Sequence, residues 1–315
     1  MQATGKIIAF ALGLCLLCGC GKIETNSVKS APSPSSAASA VTFTDDLGYQ
    51  VTLEHPQKTA VLSASYADAW QLAGGTVSAY TDDAKGTIEI KDGMLNLGKL
   101  NTPNMESMIA NKIDFVILSG TISEHVKLRE TLESAGIKTA YFKVETFEDY
   151  GRMMKILTDI TGREDLYQKN VAELQAEIRK QTARADGSNP TVLFLRAYST
   201  GVKAKGSDSM TGKMLKDLGC VNIADQKSSL LDDLSMEAIV AADPDFIFVT
   251  TMGESQKAAL GMVNQLLISN PAWSGLTAVK ENRYYVLPKE LFHLKPNNRW
   301  GESYQILADD LYGKK

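Results

Sequence analysis

The chain has 315 residues, 44% hydrophobic and 22% charged, which at roughly 150 residues per domain gives room for about two domains with cores of their own. These proportions, with 24 Gly and 9 Pro, exclude a disordered chain, a collagen-like chain and a multispan membrane protein. A formal charge of −4 provides no basic excess for neutralising phosphates, so no nucleic-acid partner is expected.

The chain opens with Lys6 and an apolar run, Ile7 to Leu17, too short to span a bilayer and right for the hydrophobic part of an export signal. Leu17-Cys18-Gly19-Cys20 then resembles the bacterial lipobox, in which the final Cys is lipidated and becomes the new N-terminus. Residues 1–19 are accordingly read as a lipoprotein signal peptide, with Cys20 the lipidated residue. Residues 20–40, with SVKSAPSPSSAASA at their centre, read as a flexible tether to a membrane. Processing removes Cys15 and Cys18, so no disulfide framework is expected, and Cys220 reads as a small buried hydrophobe.

From Val41 onward short apolar runs alternate with amphipathic stretches, the pattern of an α/β architecture with largely parallel sheets. Val41–Glu54, with two β-rich arms around Asp45-Asp46-Leu47-Gly48, reads as a hairpin. Strands are predicted at Thr59–Leu62, Phe115–Leu118, Thr139–Tyr141, Val192–Leu195, Phe246–Val249 and Arg283–Val286. Between them, residues 146–186 read as a helical connector. One helix ends near Ile160, Thr161-Gly162-Arg163-Glu164 has capping-box spacing, and a second helix runs from 162 or 163 to about Arg184. At about 1.5 Å per residue the second helix spans a small domain and acts as a stiff strut.

An internal repeat organises the body. Met105–Ser119 lies on Met236–Thr250 at an offset of 131, and Thr59–Tyr66 lies on Thr191–Tyr198 at an offset of 132. The repeat implies two similar lobes, residues 41–145 and 187–315, each starting with a strand whose exit loop carries a Tyr, Tyr66 or Tyr198. Familiar catalytic signatures are missing, and His55, His125 and His293 lack metal-ligand spacing, so neither an enzyme nor a resident cofactor is expected.

Taken together, the lipobox, the opening FTDDLGYQVTL, Thr102-Pro103-Asn104-Met105-Glu106, Leu234-Ser235-Met236-Glu237, LKDLGCVNIAD and NPAWSGLTAVKENRYYVLP resemble the substrate-binding lipoproteins of ABC importers. The resemblance is to the branch with a rigid inter-lobe helix that serves ferric siderophores, haem and corrinoids, and it covers nearly the whole chain. One departure is Ile113, where that branch usually has Pro, as at Pro244 in the second lobe. The resemblance implies two Rossmann-like lobes on the extracytoplasmic face of the membrane, and the stiff strut predicts that they close little on binding. It also implies an iron complex, haem or corrinoid as ligand, and an ABC permease dimer docked by Glu106 and Glu237.

Ligand is expected in the crevice at the carboxyl ends of the strands. Tyr66 and Tyr198 are the leading aromatic pair there, with Trp70 beside them; Arg196 and Arg299 suit an anionic complex, and His293 is the one candidate axial ligand. Trp273 reads as core. The alternatives are an extracellular α/β enzyme on a related scaffold, and a sensor or adhesion lipoprotein that serves no transporter.

Overall fold

Residues 40–314 are described in this computed structural model; the predicted signal segment 1–19, Cys20 and all but the last residue of the predicted tether lie outside the described residues. The body opens with the expected hairpin, β1 (Val41–Thr44) antiparallel to β2 (Gln50–Leu53). Its turn is closed by Asp45, whose carboxylate accepts the N–H groups of Leu47 (3.0 Å) and Tyr49 (2.9 Å). Asp46 takes the Lys143 N–H (2.7 Å) and Arg152 Nε (3.1 Å), which ties the ribbon to the rest of the body.

Two five-stranded sheets follow. The first is fully parallel, with β3 (Thr59–Val61), β4 (Val77–Tyr80), β5 (Leu95–Asn96), β6 (Phe115–Ser119) and β7 (Lys138–Phe142) in the order β5-β4-β3-β6-β7. The second contains β8 (Thr191–Tyr198), β9 (Gly201–Ala204), β10 (Val221–Asn222), β11 (Phe246–Thr251) and β12 (Tyr284–Val286). Its order is β10-β8-β11-β12, all parallel, with β9 antiparallel on β8. β3 and β6 in one sheet correspond to β8 and β11 in the other, so the sequence repeat is a repeat of topology.

The connector differs in detail from its sequence reading. The first helix is Phe147–Thr161, and the capping box sits at its start: Thr146 Oγ1 accepts the Asp149 N–H while Asp149 caps the Thr146 N–H. No box forms at Thr161–Glu164. Gly162 ends the first helix at φ 69°, leaving Thr161 in the last turn, where its hydroxyl donates to the Ala73 carbonyl. The second helix comes as Glu164–Tyr167, a wider π-type turn over Gln168–Ala172, and Glu173–Thr182. From the wide turn Asn170 Nδ2 donates to the Leu72 carbonyl (2.9 Å), anchoring the strut to the first lobe. The C-terminal helix Trp300–Tyr312 lies against Glu173–Thr182, so close at Gly301 that a Cβ there would stand 2.1 Å from the Glu177 carboxylate.

Strand alternation sorts the core into three clusters. Val116, Leu118 and Tyr141 point to the outer face of the first sheet, and Leu193, Leu195, Ile247 and Val249 to the outer face of the second, with Trp273 core as expected. The inner-face residues Phe115, Ile117 and Phe142 of one sheet and Val192, Phe194 and Phe248 of the other join one continuous cluster through Tyr150, Met154, Leu157 and Ile178 of the connector. One of the three clusters thus runs through both lobes. No helix among the described residues is long and apolar enough to cross a membrane.

Candidate functional site

The repeat is kept down to single hydrogen bonds. Asn104 Oδ1 caps the helix Met105–Ala110 by accepting from the Ser107 N–H, and Ser235 Oγ caps Met236–Ala242 from the Ala238 N–H. Past these helices, the equivalent residues Lys112 and Asp243 both take left-handed backbone (φ 56° and 40°). The carboxylates of Asp114 and Asp245 then hold the segments entering β3 and β8. Glu106 and Glu237 therefore occupy matched positions, both exposed, in the first turns of their helices.

The aromatic pair is not matched. β3 stops at Val61 and a helix, Ala64–Leu72, begins after two intervening residues, its first N–H capped by Asp83 Oδ2 (2.8 Å). Tyr66 lies inside that helix, fully buried, its hydroxyl donating to the Phe142 carbonyl (2.8 Å) and its ring edge-on to Phe142. Burial pushes its phenol well above the usual range, so it stays neutral and packs beneath the crevice rather than on a loop in it. Trp70, on the same helix, is also core: its indole N–H donates to the Thr76 carbonyl (3.0 Å) and its ring meets Phe115 edge-on. β8 instead runs on to Tyr198, because β9 pairs back along it with Tyr198 opposite Gly201. Tyr198 is half-buried and shares with Arg196 the face of β8 that also carries Val192 and Phe194.

Arg299 lies on the crevice rim, its guanidinium paired with both carboxylate oxygens of Glu302 (2.6 and 2.9 Å). His125 is structural: Nδ1 accepts the Ser119 N–H, so Nε2 carries the proton and donates to the Leu100 carbonyl (2.9 Å). Burial pushes the Cys220 thiol up to about 12. No cluster of three potential metal ligands forms among the described residues.

Sequence reading picked out Arg196 and His293 but not the lysines that complete the charged group in the crevice. His293 is half-buried beside Arg196, Lys289 and Lys295; burial first, then these three cations in that order, push its imidazole down to about 4. Its Nδ1 and the Nε of Arg196 are buried without a partner, as is the hydroxyl of Thr250, opposite Arg196 in register. Lys295 is likewise pushed down, by burial and by Arg196, against the pull of Glu145, paired with it at 3.9 Å, and of the more distant Asp149. Lys289 donates to the Gly253 carbonyl (2.6 Å). Lys295 also lines a cavity of about 380 Å³ between the lobes, bounded by Ser65, Asp68 and Thr87 on one side and by Leu294, Asn297 and Arg299 on the other. Asn297 crosses the junction, its Nδ2 donating to the Ser65 carbonyl and to Asp68 Oδ2, each at 2.7 Å. Lys289, Lys295 and Asn297 carry no motif, and only the Lys-x-x-x-His-x-Lys spacing around His293 hints at the cluster.

A crevice between two repeat-related α/β lobes, floored by cations with unused hydrogen-bonding capacity, is the geometry of a solute receptor. The sequence model described as periplasmic binding protein matches residues 60–291. The chain belongs to the periplasmic binding protein family. Within the family this periplasmic binding protein is 24% identical over 237 residues to the iron-uptake system-binding protein of Bacillus subtilis, covering 74% of this chain and 68% of that one. It is 24% identical over 280 residues to the molybdate-binding protein MolA of Haemophilus influenzae, covering 78% and 77% respectively. Its fold matches that of the periplasmic catecholate-siderophore binding protein VctP from Vibrio cholerae with a TM-score of 0.69 at 19% identity, over 87% of this chain and 99% of the other. The relatives named here are solute-binding proteins.

Proposed function

We propose that this chain is an extracytoplasmic receptor that captures an anionic ferric complex, a siderophore chelate or haem, and delivers it to an ABC importer. In this reading the lobes are residues 41–145 and 187–315, joined by 146–186, Cys20 carries the lipid anchor, and Glu106 and Glu237 dock the permease. The observation that carries the ligand class is the cluster of Arg196, Lys289 and Lys295 around a neutral His293. Three cations, with one ion pair to Glu145 at 3.9 Å and Asp149 farther off, leave a positive floor that an anion neutralises with charge-assisted hydrogen bonds. Arg196 Nε and His293 Nδ1 have capacity to spare for it, and Tyr198 adds a ring face beside Arg196. The iron-uptake and siderophore-binding relatives support the same class.

Beside the cluster, and reaching it through Lys295, the cavity of about 380 Å³ offers room for an organic ligand, more than the compact oxyanion that the Haemophilus relative is named for would fill. A corrinoid presents no comparable negative charge to the cluster.

The test is a titration of residues 21–315 with haem, a ferric catecholate, a ferric hydroxamate, cobalamin and molybdate, followed by tryptophan fluorescence and the visible spectrum. Saturable quenching by the catecholate or haem, with little by the hydroxamate or cobalamin, is expected. Binding of cobalamin or molybdate alone, or of none of the five, overturns the proposal.

A further inference from the structure

The docking helices carry more than their carboxylates. One turn after Glu106 stands Ile109, and one turn after Glu237 stands Val240, 131 residues apart like the acids themselves. Both apolar side chains are exposed, at 47% and 42%, although each helix buries its inward residue, Met108 or Ile239, completely. Residues i and i+3 share a helix face, so each lobe shows an acid and a branched aliphatic group side by side. Among the described residues no other pair of exposed large apolar side chains is related by that offset. Core packing explains Met108 and Ile239, and capping explains Asn104 and Ser235, but neither calls for an apolar group at 109 or 240.

We propose that Glu106 with Ile109 and Glu237 with Val240 form two copies of one docking footprint. The partner they fit is a membrane protein whose two-fold-related halves each present a basic side chain beside an apolar socket. The inference rests on the docking reading and adds to it an apolar contact that salt does not screen. The pseudo-symmetry chooses the occupant: a footprint made twice by one chain meets a surface made twice by its partner. The carboxylates fix the sign of that surface and steer encounter, whereas the aliphatic pair acts on dissociation. Burying each aliphatic side chain is worth about tenfold in affinity.

The experiment places a photoreactive benzoylphenylalanine at position 109, 240 or 266 of the full chain in the cells that make it, and identifies crosslinked polypeptides by mass spectrometry. Position 266 is the control, because Leu266 is 45% exposed but outside the repeat. The expected result is that 109 and 240 both crosslink to the same membrane-spanning importer subunit and 266 does not. The double substitution Ile109→Ser with Val240→Ser should weaken binding to the purified importer about 100-fold, equally at low and high salt. Crosslinking from one site only, to different polypeptides, or equally from 266 overturns the paired footprint. If Glu106→Lys with Glu237→Lys cuts importer binding while the double Ser variant binds as the parent does, the apolar half fails and docking stands. If neither pair matters, the docking reading itself fails.

Discussion

Asn297 gives the sharpest test of what holds the lobes together. It is fully buried, takes left-handed backbone (φ 49°), and spans the junction with two 2.7 Å hydrogen bonds, to the Ser65 carbonyl and to the Asp68 carboxylate. Asp68 is itself shifted upward by burial, with the Asn297 amide opposing that shift. Asn297→Ala removes a neutral hydrogen bond worth about 1 kcal/mol and a charge-assisted one worth about 2 kcal/mol. It also forces Ala into left-handed backbone for about another 1 kcal/mol. Asn297→Gly relieves that last cost, so the two variants should differ by roughly 1 kcal/mol in the same direction. A body of this length unfolds with an entropy near 0.6 kcal/mol/K, so a loss of about 4 kcal/mol in the Ala variant lowers Tm by roughly 7 °C and one of about 3 kcal/mol in the Gly variant by roughly 5 °C. Urea unfolding of both variants, alone and with Asp68→Asn, is the assay. A coupling of about 1.5–2 kcal/mol between positions 68 and 297 is expected. Losses below 0.5 kcal/mol, or additive effects of the two substitutions, would refute the inter-lobe bond as a contributor to stability.

The imidazole of His293, pushed down to about 4 from 6.5, binds its proton more readily in the unfolded chain. Stability attributable to it is therefore present above pH 6.5 and is lost as pH falls from there to 4, by about 2 kcal/mol once its partial exposure is allowed for. His293→Gln should flatten that part of the stability profile; an unchanged profile counts against the shift. Asp310, pushed up to about 6 by burial and by Asp309, works in the opposite sense, so Asp310→Asn should lower the gain seen on acidification through pH 6. Lys295→Met should weaken an anionic ferric complex about tenfold or more at low salt without lowering stability, since it relieves a buried charge; equal affinity would remove Lys295 from the site. Cys220, buried with its thiol near 12, should react with a thiol reagent only on unfolding, and a fast native reaction would contradict its burial.

Much of the fold was legible because strands buried on both faces read as unbroken apolar runs. The six predicted strands differ from β3, β6, β7, β8, β11 and β12 mainly at their ends. The repeat was legible because the same caps and turns recur, from Asn104 and Ser235 to Asp114 and Asp245. Tyr66 was misplaced because TAVLSASY and TVLFLRAY look alike, while the feature that separates them, the β9 return along β8, lies beyond the aligned segment. The capping box was misplaced because Thr161 and Thr146 both have the required spacing, and the left-handed Gly162 decides between them. The cationic cluster was half legible: Arg196 and His293 stood out, but Lys289 and Lys295 gain meaning only when the segment after β12 folds back over the end of β8.

The apolar core that passes without a break from Phe142 through Tyr150 and Leu157 to Phe194 also sets a distance. It joins the lobe that carries Glu106 to the lobe that carries Glu237 through packed side chains. Under the docking proposed above, a receptor of this kind would offer its importer one span whether loaded or empty, so empty copies would compete with loaded ones and uptake would follow the loaded fraction.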